Sequence, residues 1–84
     1  MHVKDAVQKA SDYLPEIFAD ARGQELRLEG VEKTDGGKFW AVAFSYIPTA
    51  AERGELSRDY KTVKIADTGG EFIGARNGVL LGAM

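Results

Sequence analysis

The chain contains no cysteine and a single histidine among its 84 residues. Without cysteine it can form neither a disulfide nor a thiolate metal site. His2 has no second imidazole to join it in a transition-metal site. A net charge of −2 argues against a general nucleic-acid binder, which needs a basic face to meet phosphates. We therefore expect no metal, no cofactor and no nucleic-acid partner.

Long apolar runs are missing as well. No stretch approaches the roughly 20 apolar residues of a membrane span, and the N-terminus lacks the apolar run of a secretory signal. The lack of disulfides fits a reducing compartment, so we expect a cytoplasmic protein with no membrane partner. The length corresponds to one domain, 1–84. A hydrophobic content of 44% is enough for that domain to fold around a core.

The first part of the chain has the pattern of an amphipathic helix. Apolar residues recur there mostly at intervals of three and four, and most charged residues fall on the other faces. Pro15 lacks the amide hydrogen that a helix interior uses, yet the apolar pattern continues past it. The pattern predicts one helix over 3–20 with a kink near Pro15; a break into a long and a short helix is the alternative.

Four strand-like segments follow the helix. The clearest spans 38–47, where Trp40, Val42, Phe44 and Tyr46 alternate and so share one face of an extended chain. The other predicted strands span 25–33, 59–67 and 71–76, with glycine-rich turns at 34–37 and 67–70. A bulge around Gly30 would bring Val31 onto the face of Leu28. The predicted fold is α+β, with one N-terminal helix packed across a four-stranded antiparallel meander.

The second face of this sheet and the end of the chain are also apolar. Phe39, Ala41 and Ile47 lie on the second face, which one helix cannot cover together with the first. The tail at 77–84 carries a run of aliphatic side chains. We expect Phe39, Ala41, Ile47, Val79, Leu80 and Leu81 to form an interface, and a homodimer is one way to bury it. The alternative is a tail that folds back over its own sheet.

Little in the sequence suggests catalysis. Asp67-Thr68-Gly69 matches the signature of aspartic peptidases, but only fifteen residues follow it, too few for the flap and closing strands of such an enzyme. We predict that Asp67 accepts a backbone hydrogen bond within its own turn. Asp12, Glu16 and Asp20 recur every four residues, a spacing more typical of a solvated helix face than of a cation site. The chain is therefore predicted not to be an enzyme.

Three segments carry a resemblance to a known class. Residues 28–32, 40–46 and 60–72 resemble the PepSY-like class of small bacterial domains, the last segment through its strand, aspartate, Thr-Gly turn and short strand. The resemblance implies a cystatin-like arrangement of one helix across an antiparallel sheet. It also implies a non-catalytic module that binds or inhibits other proteins and is often linked to peptidases.

Two functions follow as expectations. The first is a protein-binding module, regulatory or peptidase-inhibitory, whose partner contacts the second sheet face, an edge strand or the loop at 48–58. The alternative is a small-molecule-binding module with a pocket between helix and sheet, lined by Trp40 and Tyr46. A closed aromatic core would favour the first function, and a ligand-sized pocket with converging polar groups would favour the second.

Overall fold

A computed structural model describes residues 1–48 and 58–79. Helix α1 (Val3–Ile17) and a short 3₁₀ helix (Ala19–Ala21) precede four strands, β1 (Arg27–Thr34), β2 (Phe39–Tyr46), β3 (Asp59–Ala66) and β4 (Phe72–Asn77). A second 3₁₀ helix (Asp35–Gly37) joins β1 to β2. The strands pair antiparallel in the order β1-β2-β3-β4, and α1 contacts β2, β3 and β4. The predicted α+β fold, one N-terminal helix across a four-stranded antiparallel meander, is confirmed.

The helix is shorter than the sequence pattern predicts. It ends at Ile17, because Phe18 takes an extended conformation with φ −112° and ψ 98°. The amide of Phe18 still donates to the carbonyl of Leu14 at 2.9 Å, and the chain then forms the 3₁₀ helix. A single helix to residue 20 is therefore wrong, and the break into a long and a short helix is observed. The break lies at Phe18 rather than at Pro15, and the ring of Phe18 packs against the core.

The core lies between α1 and the first face of the sheet. Trp40, Val42, Phe44 and Tyr46 are all buried there, as their alternation predicts. The buried cluster also contains Ala6, Ala10, Leu14, Ala21, Val63 and Ile65, and Val7 and Phe18 pack against it half-buried. The small alanines of α1 let the helix approach the large side chains of β2 closely.

Each outer strand of the sheet contains a bulge. In β1 the register shifts between Leu28 and Gly30, which places Val31 opposite Val42 on the helix side. The bulge that the sequence left open is therefore present. In β4 the register shifts so that Gly74 pairs with Lys64 and Phe72 pairs with Ile65. Ile73 is the extra residue of this second bulge, and it is 47% exposed.

The tight turns use glycine where the backbone requires positive φ. Gly36 and Gly37 have φ of 70° and 90° in the turn between β1 and β2, and Gly69 and Gly70 have φ of 82° and 69° in the turn between β3 and β4. Both predicted turns are therefore present. Most of the predicted loop at 48–58 lies outside the described residues. The predicted interface residues Leu80 and Leu81 lie outside them as well.

Candidate functional site

The space between helix and sheet is filled by aromatic side chains whose polar atoms already have partners. Tyr46 is fully buried, and its hydroxyl donates to Asp20 Oδ1 at 2.9 Å. Burial, and then this hydrogen bond, raise the pKa of Tyr46 far above its ordinary value of 10.0. The indole Nε1 of Trp40 donates to Asp67 Oδ1 at 2.7 Å. A ligand between helix and sheet would have to displace these protein contacts.

Asp67 is held by its neighbours in a different way from that predicted. Its carboxylate accepts the indole hydrogen of Trp40 rather than a backbone amide of its own turn, so that prediction is wrong. The amino group of Lys33 and the N-terminal amine each lie 3.8 Å from Asp67 Oδ1. The hydrogen bond from Trp40, followed by these positive charges, lowers the pKa of Asp67. These contacts with Trp40, Lys33 and the N-terminal amine give Asp67 a structural role.

A polar network crosses the second sheet face beside the β1 bulge. Ser45 is fully buried, and its hydroxyl donates to Glu29 Oε2 at 2.5 Å. The Nε of Arg58 donates to Ser45 Oγ at 2.9 Å, and the Nε of Arg27 donates to Glu29 Oε2 at 2.7 Å. The hydrogen bonds from Ser45 and Arg27 lower the pKa of Glu29. These hydrogen bonds hold the side chains of Ser45 and Glu29 in place beside the bulge, which gives the pair a structural role.

A cleft, here called the second-face cleft, lies on the side of the sheet opposite α1. Its volume is about 490 Å³. The residues that line it are Thr34, Asp35, Ala41, Thr62, Lys64, Ile73, Gly74, Ala75 and Arg76. Ala41 forms part of the floor and is only 6% exposed, so it offers little surface to a protein partner. Phe39 and Ile47 are half-buried.

One wall of the second-face cleft is fixed by an ion pair. The amino group of Lys64 lies 2.9 Å from Asp35 Oδ2 and 4.6 Å from the ring centre of Phe39. The hydroxyl of Thr34 also donates to Asp35 Oδ2 at 2.8 Å. The bond from Lys64, and then that from Thr34, lower the pKa of Asp35. Lys64 and Asp35 therefore largely satisfy each other's charge.

A second groove, here called the β1 groove, runs between α1 and β1. It has a volume of about 340 Å³ and is lined by Val3, Lys4, Val7, Gln8, Leu28 and Val31. Val3 and Leu28 are each 46% exposed. Since β1 is an end strand of the sheet, the groove lies beside a backbone edge that pairs with no described strand.

The sequence indicates part of this arrangement and misses the rest. The predicted edge strand is present. The β1 groove, however, exists only because α1 packs beside β1, and no local sequence pattern predicts that packing. Of the predicted interface residues, Phe39 and Ala41 lie on the second face, and Val79 follows Gly78, whose amide donates to the carbonyl of Tyr60. That these residues form one interface stays a prediction. The network around Ser45 was not predicted. The only signal of this network in the sequence is Ser45 itself, a polar residue on the same face of β2 as Ala43.

Other expected features are accounted for as follows. His2 is exposed at the start of α1. Asp12 accepts a hydrogen bond from Gln8 and Asp20 accepts one from Tyr46, so these two members of the acidic row have hydrogen-bond partners. Across the described residues, no group of three or more His, Asp or Glu side chains is placed to hold a metal ion. No helix in that part of the chain is long and apolar enough to cross a membrane.

Comparisons with known proteins identify no relative. No family model, no curated protein and no solved structure matches the chain.

Proposed function

We propose that this chain is a non-catalytic, PepSY-like protein-binding module with a regulatory or peptidase-inhibitory role. Its partner segment docks in the β1 groove. The observation that carries this proposal is an exposed apolar groove directly beside the outer edge of a sheet. Structural partners lower the pKa of Glu29, Asp35 and Asp67, and a lowered pKa makes each carboxylate a weaker general base, which supports a binding role over acid–base catalysis.

The edge of β1 selects an extended chain as its ligand. After the bulge, residues 30–34 pair regularly with β2 through one edge. The other edge presents alternating backbone donors and acceptors, and another strand satisfies such a row best. Five regular residues are close to the length of a typical strand, about five to six residues. The backbone of β1 can therefore supply the affinity for an added strand.

The β1 groove selects the side chains of that ligand. Alternate residues of an added strand point toward the helix side of the sheet. There they meet Val3, Leu28 and Val31. The partner is thus an extended segment with apolar residues at every second position. The charged side chains of Glu32 and Lys33 on β1 disfavour pairing with a strand that places like charges beside them.

The test uses a pair of matched surface variants. A library of random peptides displayed on phage is selected against the full chain, and the selected peptides are measured against Leu28→Asp and Ile73→Asp. Both residues are exposed to nearly the same extent, 46% and 47%, but they lie on opposite edge strands. Selected peptides should alternate apolar residues, bind the parent and Ile73→Asp equally, and lose binding to Leu28→Asp.

Amide hydrogen exchange gives a second readout. A bound peptide should slow exchange in β1 and leave β4 unchanged, because only the edge that receives a strand gains hydrogen bonds. A selection that yields only peptides indifferent to Leu28→Asp would overturn the proposal. Protection confined to β4 would overturn it as well.

A further inference from the structure

We propose that the second-face cleft is a binding site for a small organic carboxylate with an apolar body. This site lies on the face opposite α1, while the β1 groove lies beside α1, so it is independent of the proposed protein-binding function. Its volume of about 490 Å³ is that of a small-molecule pocket, for which roughly 300–1,000 Å³ is usual. Its lining includes both a charged side chain, Arg76, and an apolar one, Ile73, and each would contact a different part of the ligand.

Arg76 supplies the charge that a ligand would meet. Of the charged groups that line the cleft, Lys64 and Asp35 form an ion pair at 2.9 Å. Arg76 has no ion-pair partner among the residues that the structure describes. A guanidinium presents two parallel N–H groups, which match the two oxygens of a carboxylate. The lining is thus one positive charge in excess, so it favours an acid over an amine.

The hydroxyl of Thr62, near Arg76, already donates a hydrogen bond within the protein. Thr62 lies opposite Arg76 in the paired strands, and its Oγ1 donates to the carbonyl of Gly78 at 2.7 Å. Its hydrogen is therefore not available to a bound oxygen. This leaves Arg76 as the donor at that end of the cleft.

The apolar body of the ligand has a place beside this charge. The β4 bulge puts Ile73 at the cleft wall with 47% of its surface exposed, and Ala41 forms part of the floor. Gly74 lies between Ile73 and Arg76 in sequence, and apart from its two chain neighbours no residue has an atom within 4 Å of the position where its Cβ would be. A chain of methylene groups over Gly74 would contact Ile73 and gain the usual stabilisation of buried apolar surface.

The experiment compares three probes that share one alkyl chain. Octanoate, octanol and octylammonium are titrated into isotope-labelled full chain, and amide shifts are followed by NMR. Octanoate should bind saturably, several-fold more tightly than octanol and octylammonium, with shifts centred on Ile73, Gly74 and Arg76. Equal affinity for octanoate and octanol would overturn the proposal. Shifts centred on Val3 and Leu28 would overturn it too.

Variants separate the two parts of the site. Arg76→Gln should weaken octanoate several-fold and leave octanol unchanged, since it removes charge but not apolar surface. Gly74→Leu should block both probes by filling the open space. Gly74 does not have positive φ, so its backbone tolerates a side chain. If Gly74→Leu does not fold, Arg76→Glu is the second variant, because it replaces the positive charge by a negative one. Leu28→Asp should change neither affinity. Octanoate affinity that survives both Arg76→Gln and Arg76→Glu would refute the assignment.

Discussion

Trp40 and Asp67 are joined by a hydrogen bond of 2.7 Å from the indole Nε1 to the carboxylate Oδ1. Trp40 lies in β2 opposite Ile65 of β3, and Asp67 lies two residues beyond Ile65, so both side chains are on the helix side of the sheet. The bond ties the middle of the sheet to the turn between β3 and β4. It gives the aspartate at this turn a structural role.

The first prediction concerns the dependence of stability on pH. Its partners lower the folded pKa of Asp67 below the ordinary value of 3.8. The stabilisation from its carboxylate is therefore complete above that value and is lost as the pH falls through the folded pKa. Asp67→Asn keeps an oxygen acceptor for Trp40 but cannot titrate. We expect the variant to fold at neutral pH and to lose less stability than the parent on acidification.

Thermal unfolding from about pH 7 down to about pH 2 measures this difference. A residual acid dependence should remain in the variant, because the pKa values of Glu29 and Asp35 are also lowered. Identical acid profiles for parent and variant would contradict the prediction. Peptidase activity in the parent that Asp67→Asn abolishes would contradict the structural role of Asp67.

The second prediction tests which face of β2 is inside. Phe44 is 3% exposed in the core, so Phe44→Ala should cost about 3–5 kcal/mol of unfolding free energy. Phe72→Ala is the matched control, because the same side chain in β4 is 40% exposed and should cost much less. Urea unfolding followed by tryptophan fluorescence measures both. Equal losses for the two variants would mean that the strand register is wrong.

The third prediction concerns the network at the β1 bulge. Ser45→Ala removes a fully buried hydroxyl that bonds both Glu29 and Arg58, and it should destabilise the chain by about 1–3 kcal/mol. Ser11→Ala is the control, since that hydroxyl lies on α1 and bonds only the carbonyl of Gln8. The control should change stability by less than about 0.5 kcal/mol. A loss no larger than that of the control would show that the Ser45 network adds nothing.

Local patterns in the sequence predict the core but not the grooves. The alternation from Trp40 to Tyr46 and the glycine turns depend on neighbouring residues, so the strands and turns could be predicted. The bulge beside Gly30 could only be raised as a possibility, because it depends on how β1 pairs with β2. The bond from Trp40 to Asp67 joins residues 27 positions apart. The Ser45 network needs the register between β1, β2 and β3. Both kinds of contact exist only after the sheet has formed, and no periodicity encodes them.

The end of the helix shows a second limit. The apolar pattern continues through Phe18 and Ala21, and both residues do pack on the core. Helical periodicity reports which side chains are inside, but a short 3₁₀ helix can satisfy nearly the same pattern. The sequence therefore gives the right core residues here with the wrong helix boundary.

The fourth prediction is that the chain self-associates through its apolar end. Val79 is 42% exposed, and Leu80 and Leu81, which lie outside the described residues, continue the aliphatic run. Burial of such a run between two copies would supplement a core that is small for a lone domain. We expect sedimentation of the full chain at high micromolar concentration to show a dimer in equilibrium with monomer.

Two variants separate the tail from the sheet edge in this association. A chain ending at Val79 lacks Leu80 and Leu81 but keeps Gly78, whose backbone bonds Tyr60 and Thr62. It should dimerise more weakly than the full chain, whereas Leu28→Asp should dimerise normally. A monomeric full chain would refute self-association. Dimerisation that persists in the shortened chain and is lost in Leu28→Asp would instead assign the contact to the β1 edge, because two such edges can pair antiparallel about a two-fold axis.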